Sequence, residues 1–152
     1  MKFTGRGIDI GKHSYGHGGS FKDMCPGQLK VKIHKFHFQL MADLMKKLEA
    51  VPEGDGTMLD NTVIVYLSDA AEAHHSRCGQ WPFVLIPGKN TGLQGGRYLD
   101  FPHYMQDGHR EIGNLYTTLL HAVGERREYF GVRDAMLKGA ARGDGPLEAL
   151  LA

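Results

Sequence analysis

The hydrophobic pattern changes period several times along the chain. Leu29, Ile33, Phe36, Leu40, Leu44 and Leu48 recur at three- and four-residue steps, which is one face of an amphipathic helix. Lys30, Lys32, Lys35, Asp43, Lys46 and Lys47 fill the other positions. Pro26-Gly27 marks the start and Pro52 the end, so the spacing predicts a helix over 28–49. Glu53-Gly54-Asp55-Gly56 reads as a turn. The run Asn61-Thr62-Val63-Ile64-Val65-Tyr66-Leu67 is then continuously apolar and β-branched. That is the signature of a strand covered on both faces, most often in a parallel sheet. Phe83-Val84-Leu85-Ile86, closed by Pro87-Gly88, is a second such strand, and Arg97-Tyr98-Leu99 a shorter third candidate. Ile112, Leu115, Tyr116, Leu119, Leu120 and Val123 return to helical spacing over Glu111–Val123, with Gly124 as the natural C-terminal cap.

Helix, strand, loop, strand, helix is an α/β order. The expectation is one domain, 1–152, built as a small, mostly parallel sheet flanked by helices. Residues 1–27 read as a glycine- and histidine-rich loop, 28–124 as the core, and 125–152 as an irregular tail. Within the tail a short helix is expected over Asp134–Ala141 and a helical turn over Pro146–Leu151. Two or three strands make a thin sheet whose edges need cover. A homo-oligomer, or a partner chain over those edges, is therefore expected.

Composition narrows the function classes. Lys+Arg 18 against Asp+Glu 17 leaves a formal charge of +1, so neither a nucleic-acid surface nor a polybasic membrane anchor is expected. No apolar run approaches the ~18 residues of a membrane helix, and Met1–Gly7 lacks the apolar region of a secretion signal. Cys25 and Cys78 are too few for a disulfide framework and read as free thiols. The 21 glycines and 9 histidines suggest a site built on loops.

The strongest local signal is Ser68-Asp69-Ala70-Ala71-Glu72-Ala73-His74-His75-Ser76-Arg77, directly after the first strand. Ligands in open α/β sheets sit beyond strand carboxyl ends. Asp69 there can hold a cation, and His74 and His75 can complete its shell, since zinc takes imidazole nitrogen and carboxylate oxygen. The segment Asp9-Ile10-Gly11-Lys12-His13-Ser14-Tyr15-Gly16-His17 offers two imidazoles four residues apart among glycines. His34 and His37, three apart on the first helix, read as a helix flank, and His103 and His121 as structural or exposed. His109 and Arg110 open the second helix, where an anion is attracted. Ser20 does not sit in a Gly-x-Ser-x-Gly elbow, and phosphate-loop and dinucleotide motifs are missing.

The segment Asp60-Asn61-Thr62, apolar strand, Ser68-Asp69 resembles the corresponding segment of sulfatases, metal-dependent phosphoglycerate mutases and alkaline phosphatases. His75-Ser76 followed by Trp81-Pro82-Phe83-Val84-Leu85-Ile86-Pro87-Gly88 is similar to that superfamily in order and spacing. So is the Asp9 and His13 pair ahead of a long helix. The runs Lys35-Phe36-His37, Glu53–Thr62 and Gly108-His109-Arg110 to Asn114-Leu115-Tyr116 resemble more closely an uncharacterised bacterial family, domain-of-unknown-function family 1552. The resemblance covers nearly all of this chain but only the C-terminal third of such proteins, whose members are often exported. It implies an alkaline-phosphatase-like C-terminal portion with the strand-end aspartate and a downstream histidine as metal ligands. Two departures stand out. Ala70 occupies a position where the superfamily often has a ligand, and the superfamily's nucleophile lies in a region this chain does not contain.

The expected activity is metal-dependent hydrolysis of small anionic phosphate, sulfate or related esters, with an N-terminal portion needed to complete it. Asp9, His13, His17, Asp69, His74, His75 and His109 are the candidate metal ligands. Glu72 is the candidate general base, and Arg77 and Arg110 the candidate anion holders. Zinc is the expected ion, with copper, calcium and manganese as alternatives. The competing readings are a non-hydrolytic zinc or copper module and an assembly subunit that completes another chain.

Overall fold

The computed structural model describes residues 2–68 and 80–152. Helix α1 spans Lys12–Gly16, α2 Pro26–Glu49 and α3 Ile112–Ala122. Strands β1 (Pro52–Glu53) and β2 (Gly56–Thr57) form a two-residue ladder around the expected turn. Strands β3 (Val63–Leu67) and β4 (Phe83–Pro87) form the larger sheet.

The expectation of a mostly parallel sheet is overturned: β3 and β4 are antiparallel, with Val63 opposite Pro87 and Leu67 opposite Phe83. A continuous apolar run reports that both faces are covered; it carries no information on strand direction. The two faces are covered unequally, and Val84, on the Tyr66 face, is exposed. Val63, Phe83 and Leu85 pack on the cluster of Leu93, Leu115, Leu147 and Leu150, together with Ile112 and Leu119 of α3. Strand alternation sends Tyr66 to the opposite face, where His34, His37 and Phe38 of α2 meet it. The third strand candidate, 97–99, is irregular; ahead of it, Leu93 bridges Leu151.

Helix α2 begins where Pro26 supplies a preset φ at the first helical position and Gln28 Oε1 accepts from the Cys25 N–H at 2.9 Å. Only Leu29 and Ile33 of α2 are fully buried. They pack on Ile8 and Tyr15, so the segment expected to be a plain loop folds over α2 and carries a five-residue helix. Helix α3 ends in a glycine cap: Gly124 has φ +85°, and the Glu125 N–H reaches back to Leu120 O at 2.9 Å.

The Asp60-Asn61-Thr62 motif turns out to be a buckle ahead of β3. Asp60 Oδ2 accepts from the Thr57 N–H at 2.7 Å and pairs with Lys89 at 3.1 Å. Asn61 Nδ2 donates to Glu53 Oε2, and Thr62 Oγ1 donates to Met58 O at 2.6 Å. Gly88 closes the other side. A Cβ there would overlap the carbonyls of Leu59 and Asp60.

The tail departs from expectation as well. The helix expected over 134–141 is absent apart from a 3-10 turn at Gly139–Ala141, and the last turn is 3-10 over Glu148–Leu150. Three buried polar residues of α3 hold the tail. Asn114 Nδ2 donates to Gly143 O and Gly145 O, both at 2.8 Å. Thr117 Oγ1 accepts from the Phe130 N–H at 3.0 Å, and Thr118 Oγ1 from the Leu147 N–H at 2.7 Å. Among the described residues no helix is long and apolar enough to cross a membrane.

Candidate metal centre

His13 lies on α1 and His17 caps its C-terminal end, with ring centroids 4.7 Å apart and edge-on. The two rings meet at the C-terminal end of α1. Tyr15, between them in sequence, is buried against Ile8, Leu29 and Ile33 and so fixes α1 on α2. Burial raises the Tyr15 pKa, and the nearby Tyr66 phenol adds to the shift. Asp9 does not join the two imidazoles. Its carboxylate pairs with Lys2 at 2.9 Å on the surface, and no three His, Cys, Asp or Glu side chains come together among the described residues.

Tyr66, the penultimate residue of β3, is bracketed by α2. Its hydroxyl lies 2.7 Å from His34 Nδ1 and 3.0 Å from His37 Nδ1. A phenol has one proton, so it donates to one imidazole and accepts the Nδ1–H of the other. Burial raises the Tyr66 pKa. Phe3 stacks at a tilt on His37, with centroids 5.9 Å apart, which ties the N-terminal segment to the same place. Helix α2 borders the carboxyl end of β3 at Tyr66, and the N-terminal segment reaches the same place through Phe3. The helix-flank reading of His34 and His37 missed this, because only the fold reveals that Tyr66 points at them.

Asp69, Glu72, His74, His75 and Arg77 lie outside the described residues. The last described residue before them, Ser68, offers its carbonyl to the Trp81 indole N–H at 2.8 Å. Trp81 also lines a cleft of about 510 Å³ with Phe83, Leu85, Leu99, His109 and Arg110. That cleft lies on the α3 side, so His109 and Arg110 are separated by the sheet from His34, His37 and α1. His109 Nδ1 donates to Pro102 O at 2.9 Å, and Arg110 Nη1 to the His109 carbonyl at 3.0 Å.

Beside α3, Tyr129 has a pKa pushed up to about 12, first by burial and then by a hydrogen bond to Glu111. Its hydroxyl fills the space a side chain at Gly113 would need, and the Arg133 guanidinium sits 5.0 Å over its ring. No sequence signal marked this cluster, whose members are spread over 111–144.

No family model, no curated protein and no solved structure matches this chain.

Proposed function

We propose that this chain is a metal-dependent hydrolase-like domain whose cation sits beyond the carboxyl end of β3. The observation that supports it most is the placement of α1. Tyr15, between His13 and His17, packs on Leu29 and Ile33 of α2, and the Tyr66 phenol, three residues before Asp69, is near enough to add to the raised Tyr15 pKa. Two imidazoles remote in sequence thus flank a residue on the same side of the molecule as the strand from which the candidate carboxylate departs. Asp69, His13 and His17, with His74 or His75, supply the oxygen and nitrogen donors zinc takes. The ion would lower the pKa of a bound water. Glu72 is the proposed base for that water, and Arg77 the proposed holder of a phosphate or sulfate ester. Arg110 and His109 are not assigned to this ion, since they line the cleft across the sheet. The resemblance of Asp60–Asp69 to sulfatase and alkaline phosphatase segments supports the same reaction class.

A second reading, a zinc or copper module without turnover, draws on Ala70 at a position where the superfamily often has a ligand. The sheet, two-stranded among the described residues, and the exposed Val31, Leu40 and Leu44 on α2 support self-association or a partner chain in either case. Metal analysis of the purified protein, joined to hydrolysis of 4-nitrophenyl phosphate and 4-nitrophenyl sulfate, separates the readings. Stoichiometric zinc with chelator-sensitive turnover is the expected result. Bound metal without turnover favours the module, and turnover surviving in an Asp69→Ala, His75→Ala double variant refutes the hydrolase assignment.

A further inference from the structure

We propose a second metal site, selective for copper(II), formed by His34 Nδ1, His37 Nδ1 and the Tyr66 phenolate. It uses none of the ligands proposed for the ion at the end of β3.

The two ring nitrogens stand 2.7 and 3.0 Å from one oxygen. With metal–ligand bonds of about 2.0 Å, chords of those lengths subtend roughly 85° and 97° at a shared ion. Both lie near the right angle of a tetragonal copper(II) site with nitrogen and oxygen donors. Nitrogen and oxygen donors of this kind hold copper(II) more tightly than zinc. The donors come from two rigid elements. His34 and His37 sit one turn apart on a 24-residue helix, and Tyr66 lies on a paired strand. Small ring rotations bring the lone pairs onto an ion placed off the two hydrogen-bond lines. His34 is exposed, which provides an entry path, while His37 and Tyr66 are half-buried. Further coordination positions fall to water on the His34 side.

Binding exchanges a proton for a cation. The phenolic O–H bond breaks, a copper–oxygen bond forms, and that proton leaves to solvent; the imidazole whose Nδ1–H faces the phenol gives that proton to solvent and takes one up at Nε2, so both rings bind through neutral Nδ1. Copper stays in the +2 state throughout.

Titration of the intact chain with copper(II) chloride, followed by visible absorption and electron paramagnetic resonance, tests the proposal. The expected result is a phenolate-to-copper charge-transfer band that saturates at one equivalent and survives a tenfold excess of zinc. Tyr66→Phe is expected to abolish the band and weaken copper binding by more than about tenfold. His34→Gln and His37→Gln, at positions on the α2 surface, are each expected to abolish it too; they decide the matter should Tyr66→Phe lose its circular dichroism. His13→Gln with His17→Gln is expected to leave the band unchanged. No band in the folded wild-type chain overturns the proposal. So does a band that persists without Tyr66, one that zinc displaces, or one lost with His13 and His17. Failure here leaves the zinc content and ester turnover untouched, so the two proposals fail separately.

Discussion

Asn114→Ala is expected to release the C-terminal tail and cost about 2–4 kcal/mol of stability. The side chain is fully buried, and no described side-chain N or O atom is buried without a partner. Its amide donates to the carbonyls of Gly143 and Gly145 at 2.8 Å each, and its oxygen accepts from the Glu111 N–H at 2.7 Å. Three hydrogen bonds at about 0.5–1.5 kcal/mol net give roughly 1.5–4.5 kcal/mol. Water reaching the half-exposed glycine carbonyls trims the upper end, and the small cavity raises the lower end. For a chain of this size, with a urea slope of about 2 kcal/mol/M, the midpoint falls by roughly 1–2 M. Limited proteolysis, read by mass spectrometry, is expected to show new cleavage within 125–152 before any within α2. A loss below about 0.5 kcal/mol with unchanged proteolysis would refute the reasoning; the apolar anchors Leu147 and Leu150 would then suffice to hold the tail.

Hydrogen bonds from Thr57, and then the Lys89 ammonium, hold the Asp60 carboxyl below its ordinary pKa. A carboxyl with a lowered folded pKa contributes stability above its unfolded pKa, and that stability is lost as pH falls through the folded value. Asp60→Asn is therefore expected to flatten the acid limb of a stability–pH profile, and an unchanged limb would contradict this. Tyr129 runs the other way. Its folded pKa, about 12, lies above the unfolded value of about 10. Its contribution is thus complete below about 10 and fades as pH rises toward 12. Tyr129→Phe should remove that alkaline loss, as followed by circular dichroism. Gly113→Ala forces a methyl against the Tyr129 hydroxyl and is expected to cost about 1–3 kcal/mol; in a Tyr129→Phe background much of that cost should disappear, and equal costs in both backgrounds would contradict the packing account.

Much of the scaffold was legible from periodicity. The helix expected over 28–49 is α2, Glu111–Val123 brackets α3, and the two apolar runs are β3 and β4. Length and period identify such elements, because each buries one stripe or two faces. Strand direction was not legible, since Val63–Leu67 has the same apolar run whether its partner runs with or against it. The tail was illegible for another reason: its order comes from Asn114, Thr117 and Thr118, buried polar residues that hydropathy places on the surface. The candidate site was partly legible. The His13 and His17 rings lie together, and the Asp9 carboxylate pairs with Lys2. Tyr66 reads as one more apolar strand residue until the fold sets it between His34 and His37. The Asp60-Asn61-Thr62 motif was read as a mark of function, yet its three side chains brace the entry to β3.

The central claim is that α1 and the end of β3 share one cation. Zinc stoichiometry by equilibrium dialysis, compared for the wild type, His13→Ala with His17→Ala, Asp69→Ala, and all three together, tests it most directly. The account predicts that each variant loses the same single equivalent and that the combination loses no more. Losses that add, or zinc retained at full stoichiometry without His13 and His17, would contradict it.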